Sequence, residues 1–330
     1  MKFDFNKIID AWKKISSEIN NPGKYSRSIF TDCKTPISAS VIYENKFKSV
    51  NFIFNKTLVN KSNFEFKETK GIKVSFENDE DDKNLLILSI YLKNSSFLDA
   101  YENLLEKIIT SIYDIDDQKL CFDIISNLLI NWRKCFEDEK YEGLTKEEEI
   151  GLFGELTFLN KAISKNINSS NILNYWEGPE GGLHDFKFPK FLLEIKSYSK
   201  RKNKIKINNL DQLNYKFFSN LYLGCAEIEH NLSGKTLVEI IDDIKKNFND
   251  NNNLKISFEK KLSAYGYFEI HKKNYETKYV ANSLLFYKLT NKFPTILKED
   301  LAEGINEVSF SIDINRIKKF VSDENFIDSK

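Results

Sequence analysis

The sequence predicts a mixed α+β / α/β fold in about two domains, with a smaller β-rich N-terminal region ahead of a longer one in which helices and strands interleave. Length is the first reason: 330 residues, 41% of them hydrophobic, exceed one ordinary domain and suffice for sizeable cores. The second is a change of period near residue 94, from short runs of Val, Ile, Phe and Tyr to apolar residues every three or four positions. The third is the interleaving of helical and strand-like segments from Thr145 onward.

Taken in order, Ile8, Trp12, Ile15 and Ile19 recur at helical spacing and predict a docked amphipathic first helix, which Asn21-Pro22-Gly23 ends. Strands are expected at 38–43, 49–54, 72–76 and 85–92. The acidic run from Glu77 to Asp82 lacks the glycine turn and distal bidentate Glu of a calcium loop, so it reads as a solvated hairpin tip. Leu98, Tyr101, Leu105, Ile108 and Ile112 form one helical stripe, and Leu120, Ile124, Leu128 and Trp132 a second. Thr145 and Glu148 have the spacing of a capping box opening a third helix to about Ile163. Strands then follow at 183–188, 191–198, 221–228, 280–289 and 308–314, with a helix at 236–248 and a polar loop at 249–253. The expected division is 1–94 β-rich with a leading helix, 95–144 a helical bridge, and 145–330 the domain that carries the chemistry.

Composition excludes several classes. An aromatic content of 14% is incompatible with a disordered chain, and 12 glycines and 5 prolines exclude collagen-like or linker-dominated sequence. Forty-nine basic residues balance 49 acidic ones, so a nucleic-acid surface has to be a local patch. Cys33, Cys121, Cys135 and Cys225 form no CxxC pair, and His184, His230 and His271 have no metal-ligand spacing. With no membrane-length apolar run and no signal-peptide pattern, the expectation is a soluble, reduced, cytoplasmic protein without a membrane partner. No glycine-rich phosphate loop is present, so ATP hydrolysis would fall to a partner.

The chemistry concentrates in Gly182-Leu-His-Asp185-Phe-Lys-Phe-Pro-Lys-Phe-Leu-Leu-Glu194-Ile-Lys196. If Pro189-Lys190 is the tip of a symmetric hairpin, Asp185 faces Glu194, and alternation puts Glu194 and Lys196 on one sheet face. Two opposed carboxylates repel, and a divalent cation removes the repulsion; hard oxygen ligands in this number suit Mg²⁺ (or Mn²⁺). Lys196 can hold an attacking water or offset charge in a phosphorane-like transition state. The pattern therefore meets the needs of metal-assisted phosphodiester hydrolysis. A surface salt bridge between Glu194 and Lys196 beside an unrelated Asp explains the bare pattern equally well. The site charges are expected to be exposed.

Glu155 lies at the edge of the Leu152, Leu156, Leu159, Ile163 stripe, where an acid needs a cation or hydrogen-bond partner, and Gly151 leaves room for close backbone approach. Between 187 and 206 there are eight basic residues against one acidic, among them Lys200, Arg201, Lys202, Lys204 and Lys206, a candidate phosphate-binding run. Trp176 reads as a loop aromatic packed on the sheet, and His184 as packing or capping.

The segments Gly154-Glu155-Leu-x-Phe-Leu159, Trp176-x-Gly178-Pro179, His184-Asp185-Phe186 and Glu194-Ile-Lys196-Ser197 together resemble the PD-(D/E)xK, or restriction-endonuclease-like, nuclease superfamily, in its bacterial "PD-(D/E)xK motif protein" branch, over most of the chain. His184 stands where the superfamily usually has the Pro before its first Asp. The resemblance implies a restriction-endonuclease-like mixed sheet flanked by helices. It implies metal binding by Asp185, Glu194 and the Ile195 carbonyl, supported by Glu155, with Lys196 as the catalytic lysine. Gln212, ahead of Tyr215, resembles the glutamine that follows the Glu-x-Lys strand in relatives and joins the nucleic-acid-binding candidates. The implied function is a Mg²⁺-dependent DNA endonuclease subunit of a bacterial restriction or anti-phage defence system, working beside an ATPase or methyltransferase and open to oligomerisation. The competing reading is a non-cleaving DNA-binding or assembly subunit on the same fold.

Overall fold

The computed structural model describes residues 4–59, 64, 66–79, 82–137, 142–165, 169–218, 220–249, 251–305 and 308–328. The chain forms two compact units, Met1–Glu142 and Gly143–Lys330.

The first unit opens with helix α1 (Asn6–Glu18), which buries Ile8, Ala11, Trp12 and Ile15. Strands β1 (Lys24–Phe30), β2 (Ile37–Ile42), β3 (Lys48–Asn55), β4 (Ile72–Asn78) and β5 (Leu85–Leu92) form an antiparallel sheet in the order β1-β2-β3-β5-β4. Alternate residues of the central strands, among them Ala39, Val41, Val50, Phe52, Phe54, Leu88 and Ile90, are fully buried. Helices α2 (Leu98–Ile112) and α3 (Gln118–Trp132) pack with them: the Tyr101 hydroxyl donates to the Ile90 carbonyl at 2.6 Å, and Phe122 meets Phe54 edge-on. Strand β1 has no counterpart among the expected strands, because its Lys-Tyr-Ser-Arg-Ser sequence is too polar to stand out. The buried face of α3 is also rotated from the expected stripe. Cys121, Phe122, Ile125, Leu129 and Trp132 face inward, whereas Leu120 is exposed, since apolar residues surround this helix and the pattern alone cannot choose a side. In the acidic run, Glu77 belongs to β4 and pairs with Lys24 at 2.8 Å; Glu80 and Asp81 lie outside the described residues.

The second unit begins with α4 (Lys146–Ser164), started by the Thr145/Glu148 capping box. After α5 (Ser169–Tyr175) come β6 (Phe186–Lys187), β7 (Leu192–Tyr198), β8 (Lys204–Ile207) and β9 (Leu221–Lys235). Next are α6 (Leu237–Asn247), α7 (Asn252–Tyr265), β10 (Tyr279–Lys288), β11 (Phe310–Asp313), α8 (Ile314–Ile317), β12 (Val321–Ser322) and α9 (Asn325–Asp328). The main sheet runs β12-β10-β9-β7-β6, with β7 and β9 parallel and the other pairs antiparallel, while β8 and β11 form a separate ribbon. It is a mixed sheet flanked by helices. One core joins α4, α6 and α7 to Leu193 and Ile195 of β7; a second lies around Tyr198, Leu223 and Tyr287 with the ribbon.

Helix α7 occupies sequence that extends from the expected polar loop. Asn251 caps it by accepting from the Leu254 N–H, and only Phe258, Lys261 and Leu262 are buried, so its apolar period is faint. Strand β6 is shorter than expected and β9 longer. Among the described residues no helix is long and apolar enough to cross a membrane.

Candidate active site

The β6–β7 hairpin turns at Pro189-Lys190, where the Phe188 N–H donates to the Phe191 carbonyl at 2.9 Å. Phe186 pairs with Leu193 and Lys187 with Leu192, the register of the symmetric hairpin. One step beyond this ladder Asp185 comes level with Glu194. The Asp185 carbonyl accepts from the Glu177 and Gly178 N–H groups at 2.9 and 3.0 Å, which fixes its backbone. Its Oδ2 accepts from the Ile195 N–H at 2.6 Å, so the aspartate replaces a ladder partner where β6 has ended. Because N–H and C=O of one strand residue leave on the same side, the Ile195 carbonyl faces that same edge.

Glu194 has no solvent exposure, and its Oε2 has no hydrogen-bond partner. Its Oε1 accepts from Lys196 Nζ. The expectation of exposed site charges is therefore overturned: the parallel β7/β9 pairing sets Glu194 beside Leu223 in the middle of the sheet. Burial, reinforced by the Asp185 charge, pushes the Glu194 carboxyl up to about 8. Burial also raises Asp185. Burial alone would lower Lys196, but the Glu194 and Asp185 carboxylates outweigh it and raise the ammonium above its ordinary value.

Glu155 reaches the same place from α4. It is buried, its Oε2 accepts from Trp176 Nε1 at 2.7 Å, and burial followed by the Asp185 charge holds its carboxyl well above the usual range. A Cβ on Gly178 would stand 3.0 Å from Asp185 Oδ1 and 3.1 Å from Glu155 Oε2, so both acids crowd one glycine. The structure thus brings Glu155, Asp185, Glu194 and Lys196 together. Among the described residues no three His, Cys, Asp or Glu side chains already form a metal cage. The donor set nevertheless fits a hard divalent cation that keeps most of its waters. Three acids face one lysine, and a buried carboxylate oxygen lacks a partner.

Several supporting residues escape sequence reasoning. Trp176 is completely buried, as expected of a packed aromatic, but its bond to Glu155 is not foreseeable, since a single indole in a loop carries no signal for its partner. Lys261, buried on α7, donates to the Trp176 carbonyl at 2.6 Å and to Glu180 Oε2 at 2.9 Å. Burial, then the Glu155 and Asp185 charges, raises the Tyr265 hydroxyl far above its ordinary value, and Gly151 leaves the room it needs: a Cβ there would stand 3.0 Å from Tyr265 Oη. Ser197 ties β7 to α4 by donating to the Ile150 carbonyl at 2.9 Å.

The basic candidates stand apart from the acids. Lys200, Arg201 and Lys202 are exposed in the turn leaving β7; Lys204 and Lys206 point to solvent from β8 while Ile205 and Ile207 point inward. None of the five forms an ion pair with a carboxylate among the described residues. Gln212 is half-buried; its carbonyl lies 3.1 Å from His184 Nε2, and its side-chain Oε1 is buried without a partner. His184 is buried against Phe218, in keeping with a packing role.

A helix-flanked mixed sheet with Asp185 at the end of one strand and Glu194-Ile-Lys196 on its neighbour is the arrangement of a PD-(D/E)xK-like fold, a nuclease architecture. The chain belongs to the family described as "Putative PD-(D/E)XK family member, (DUF4420)", whose family model matches residues 8–315 and so takes in both units. No curated protein and no solved structure matches the chain.

Proposed function

We propose that the protein is a divalent-metal-dependent DNA endonuclease. Asp185 and Glu194 would hold Mg²⁺ or Mn²⁺ with the Ile195 carbonyl, and Glu155 would support that ion or a second one. The observation that carries this reading is Glu194: a carboxylate with no exposure and an unpartnered oxygen, level with Asp185 across the hairpin. Lys196 pairs with its other oxygen and burial pushes its carboxyl up to about 8, so a divalent ion would take the place of a proton at the unpartnered oxygen. When bound, a divalent ion supplies Lewis acidity and a more acidic water.

The remaining roles fall to the chain. Lys196, its pKa raised by its carboxylate neighbours, stays an ammonium at neutral pH and orients a water or offsets charge on the phosphate. Trp176 holds Glu155 in one rotamer. Lys200, Arg201, Lys202, Lys204 and Lys206 are the phosphate contacts of the reading, with Gln212 beside the site. The proposal extends, on the family resemblance, to a cytoplasmic subunit of a bacterial restriction or anti-phage system with an ATPase or methyltransferase partner.

The test is incubation of the purified full chain with plasmid and with short DNA, in Mg²⁺ or Mn²⁺ against EDTA, beside Glu194→Gln. Metal-dependent cleavage by the wild type alone is the expected result. DNA binding without cleavage under every condition would instead favour the non-cleaving DNA-binding or assembly subunit.

A further inference from the structure

A cavity of about 500 Å³ opens beside the proposed site, with His184, Lys187, Lys190, Leu192, Phe217 and Phe218 among its walls. Its aromatic content is high. Phe188 and Phe191 stack at 4.2 Å and the His184 ring meets Phe218 edge-on at 5.1 Å, but Phe188, Phe191 and His184 are buried and form the floor of the cavity rather than a free face. Phe217 is 74% exposed, a large apolar ring standing in water at the cavity wall. Lys187 and Lys190 stand at the rim with one acid, Glu177, whose Oε1 lies 3.9 Å from Lys187 Nζ, an exposed pair that a phosphate would have to displace.

Position gives this cavity its meaning. His184 lines it, and the next residue along the chain is Asp185. Leu192 lines it, and Glu194 follows two residues later on the same strand. The proposed metal site and the cavity are therefore neighbours along the β6–β7 hairpin. Beyond the other end of β7, roughly 20 Å from Leu192 to Tyr198 at strand rise, the basic turn begins. A nucleic-acid strand lying along β7 would have the cavity behind it, the acids in the middle and cations ahead.

An aromatic-lined concavity with lysines at its rim matches how proteins hold single strands: a base stacks on the ring while cations take the neighbouring phosphates. In an intact duplex the base faces are covered by their own stack, so a side-chain ring reaches one only after the base has left the helix.

We propose that this cavity seats an unpaired nucleobase next to the phosphate to be cleaved, so that the preferred substrate is a single strand, flap or frayed end of DNA rather than an intact duplex. The inference rests on the nuclease reading above and narrows it to a substrate class.

The experiment reads binding in EDTA, where cleavage plays no part, with 2-aminopurine placed along a single-stranded oligonucleotide and in the matching blunt duplex. The wild type is expected to bind the single strand more tightly and to quench the fluorophore at one position. Phe217→Ala, chosen because the exposed ring adds little to the core, should lose about 5- to 100-fold in single-strand affinity. It should also lose the quench, while duplex affinity changes by less than about twofold. Phe217→Trp should restore both. Equal single-strand affinity in wild type and Phe217→Ala, or an equal loss on duplex, would overturn the proposal. Failure of the nuclease reading is distinguishable: neither substrate would be cut in Mg²⁺ or Mn²⁺, while the binding preference and its dependence on Phe217 would remain.

Discussion

Trp176 Nε1 donates to Glu155 Oε2 at 2.7 Å, joining the loop before β6 to the helix that precedes the sheet. Both groups are buried, so neither can turn to water for a substitute. Trp176→Phe should keep most of the packing against Phe186 and Phe258 but leave Glu155 Oε2 without its indole donor. An unsatisfied buried acceptor costs about 1–3 kcal/mol. The expected outcome is that loss in urea unfolding, with a fall in kcat larger than any rise in KM. Unaltered unfolding and unaltered kcat would show that the bond holds nothing the site needs.

A second prediction follows from close approach between α4 and β7. A Cβ on Gly154 would collide with Ser197 Oγ and touch Ala226 at 3.6 Å. Gly154→Ala should destabilise by about 1–3 kcal/mol, the usual cost of overpacking, despite alanine's better helix propensity. Gly154→Ala combined with Ser197→Ala should recover much of the loss. Thermal unfolding of the three variants checks this, and a Gly154→Ala protein as stable as wild type would contradict the tight α4–β7 contact.

These two cases mark what the sequence could and could not reveal. The hairpin register was legible because a symmetric turn and strict alternation determine which residues pair, and Phe186 does face Leu193. The capping box at Thr145 was legible because both partners lie within one turn. Contacts made through the fold were not. Trp176 and Glu155 are 21 residues apart, and Lys261 lies 85 residues from the carbonyl it holds. Helix α7 itself was obscured by exposed Ile256 and a buried Lys261, which blur its apolar face. The burial of Glu194 was hidden for a related reason: alternation says which face a residue shares, while the depth of that face depends on β9 arriving beside it in parallel.

Burial of the acids makes stability depend on pH in a definite sense. The Glu194 carboxyl is raised from 4.5 to about 8 by burial and by Asp185, and Asp185 and Glu155 are raised as well. A raised acid keeps its proton in the folded chain after the unfolded chain has lost it. Its contribution is therefore complete below the unfolded value of 4.5 and is lost as pH climbs through about 8. In EDTA the unfolding free energy should fall across that window by no more than about 1.4 kcal/mol per pH unit for one group, and the melting temperature should fall with it. Glu194→Gln should flatten the fall. A wild-type profile already flat across the window would mean that Glu194 does not titrate there.

Divalent ions should act oppositely. Binding only the folded chain, millimolar Mg²⁺ or Mn²⁺ should raise the melting temperature, and more so near pH 8 than near pH 6, because the ion displaces protons from the carboxylates. Asp185→Asn or Glu194→Gln should remove the shift, and each should abolish cleavage; Lys196→Ala should abolish cleavage while retaining the shift. A shift that survives in Glu194→Gln would place the ion elsewhere.

The last prediction concerns Lys200, Arg201 and Lys202, exposed in the turn that leaves β7 and joined by Lys204 and Lys206 on the solvent side of β8. Their exposure fits phosphate contact and equally fits a solvated face, so the distinction has to come from salt. Each phosphate neutralised releases counterions, and the logarithm of affinity then falls with the logarithm of salt by about one unit of slope per contact. Replacing Lys200, Arg201 and Lys202 together with Gln should weaken binding on every DNA sequence and flatten the slope by as many as about three units. The metal-induced thermal shift should be unchanged, because none of these side chains lies among the acids. Affinity for an uncleaved DNA in Ca²⁺ across a salt series decides it. An unchanged slope in the triple variant would remove this turn from the DNA path and leave the phosphate contacts to be sought on another face of the Gly143–Lys330 unit.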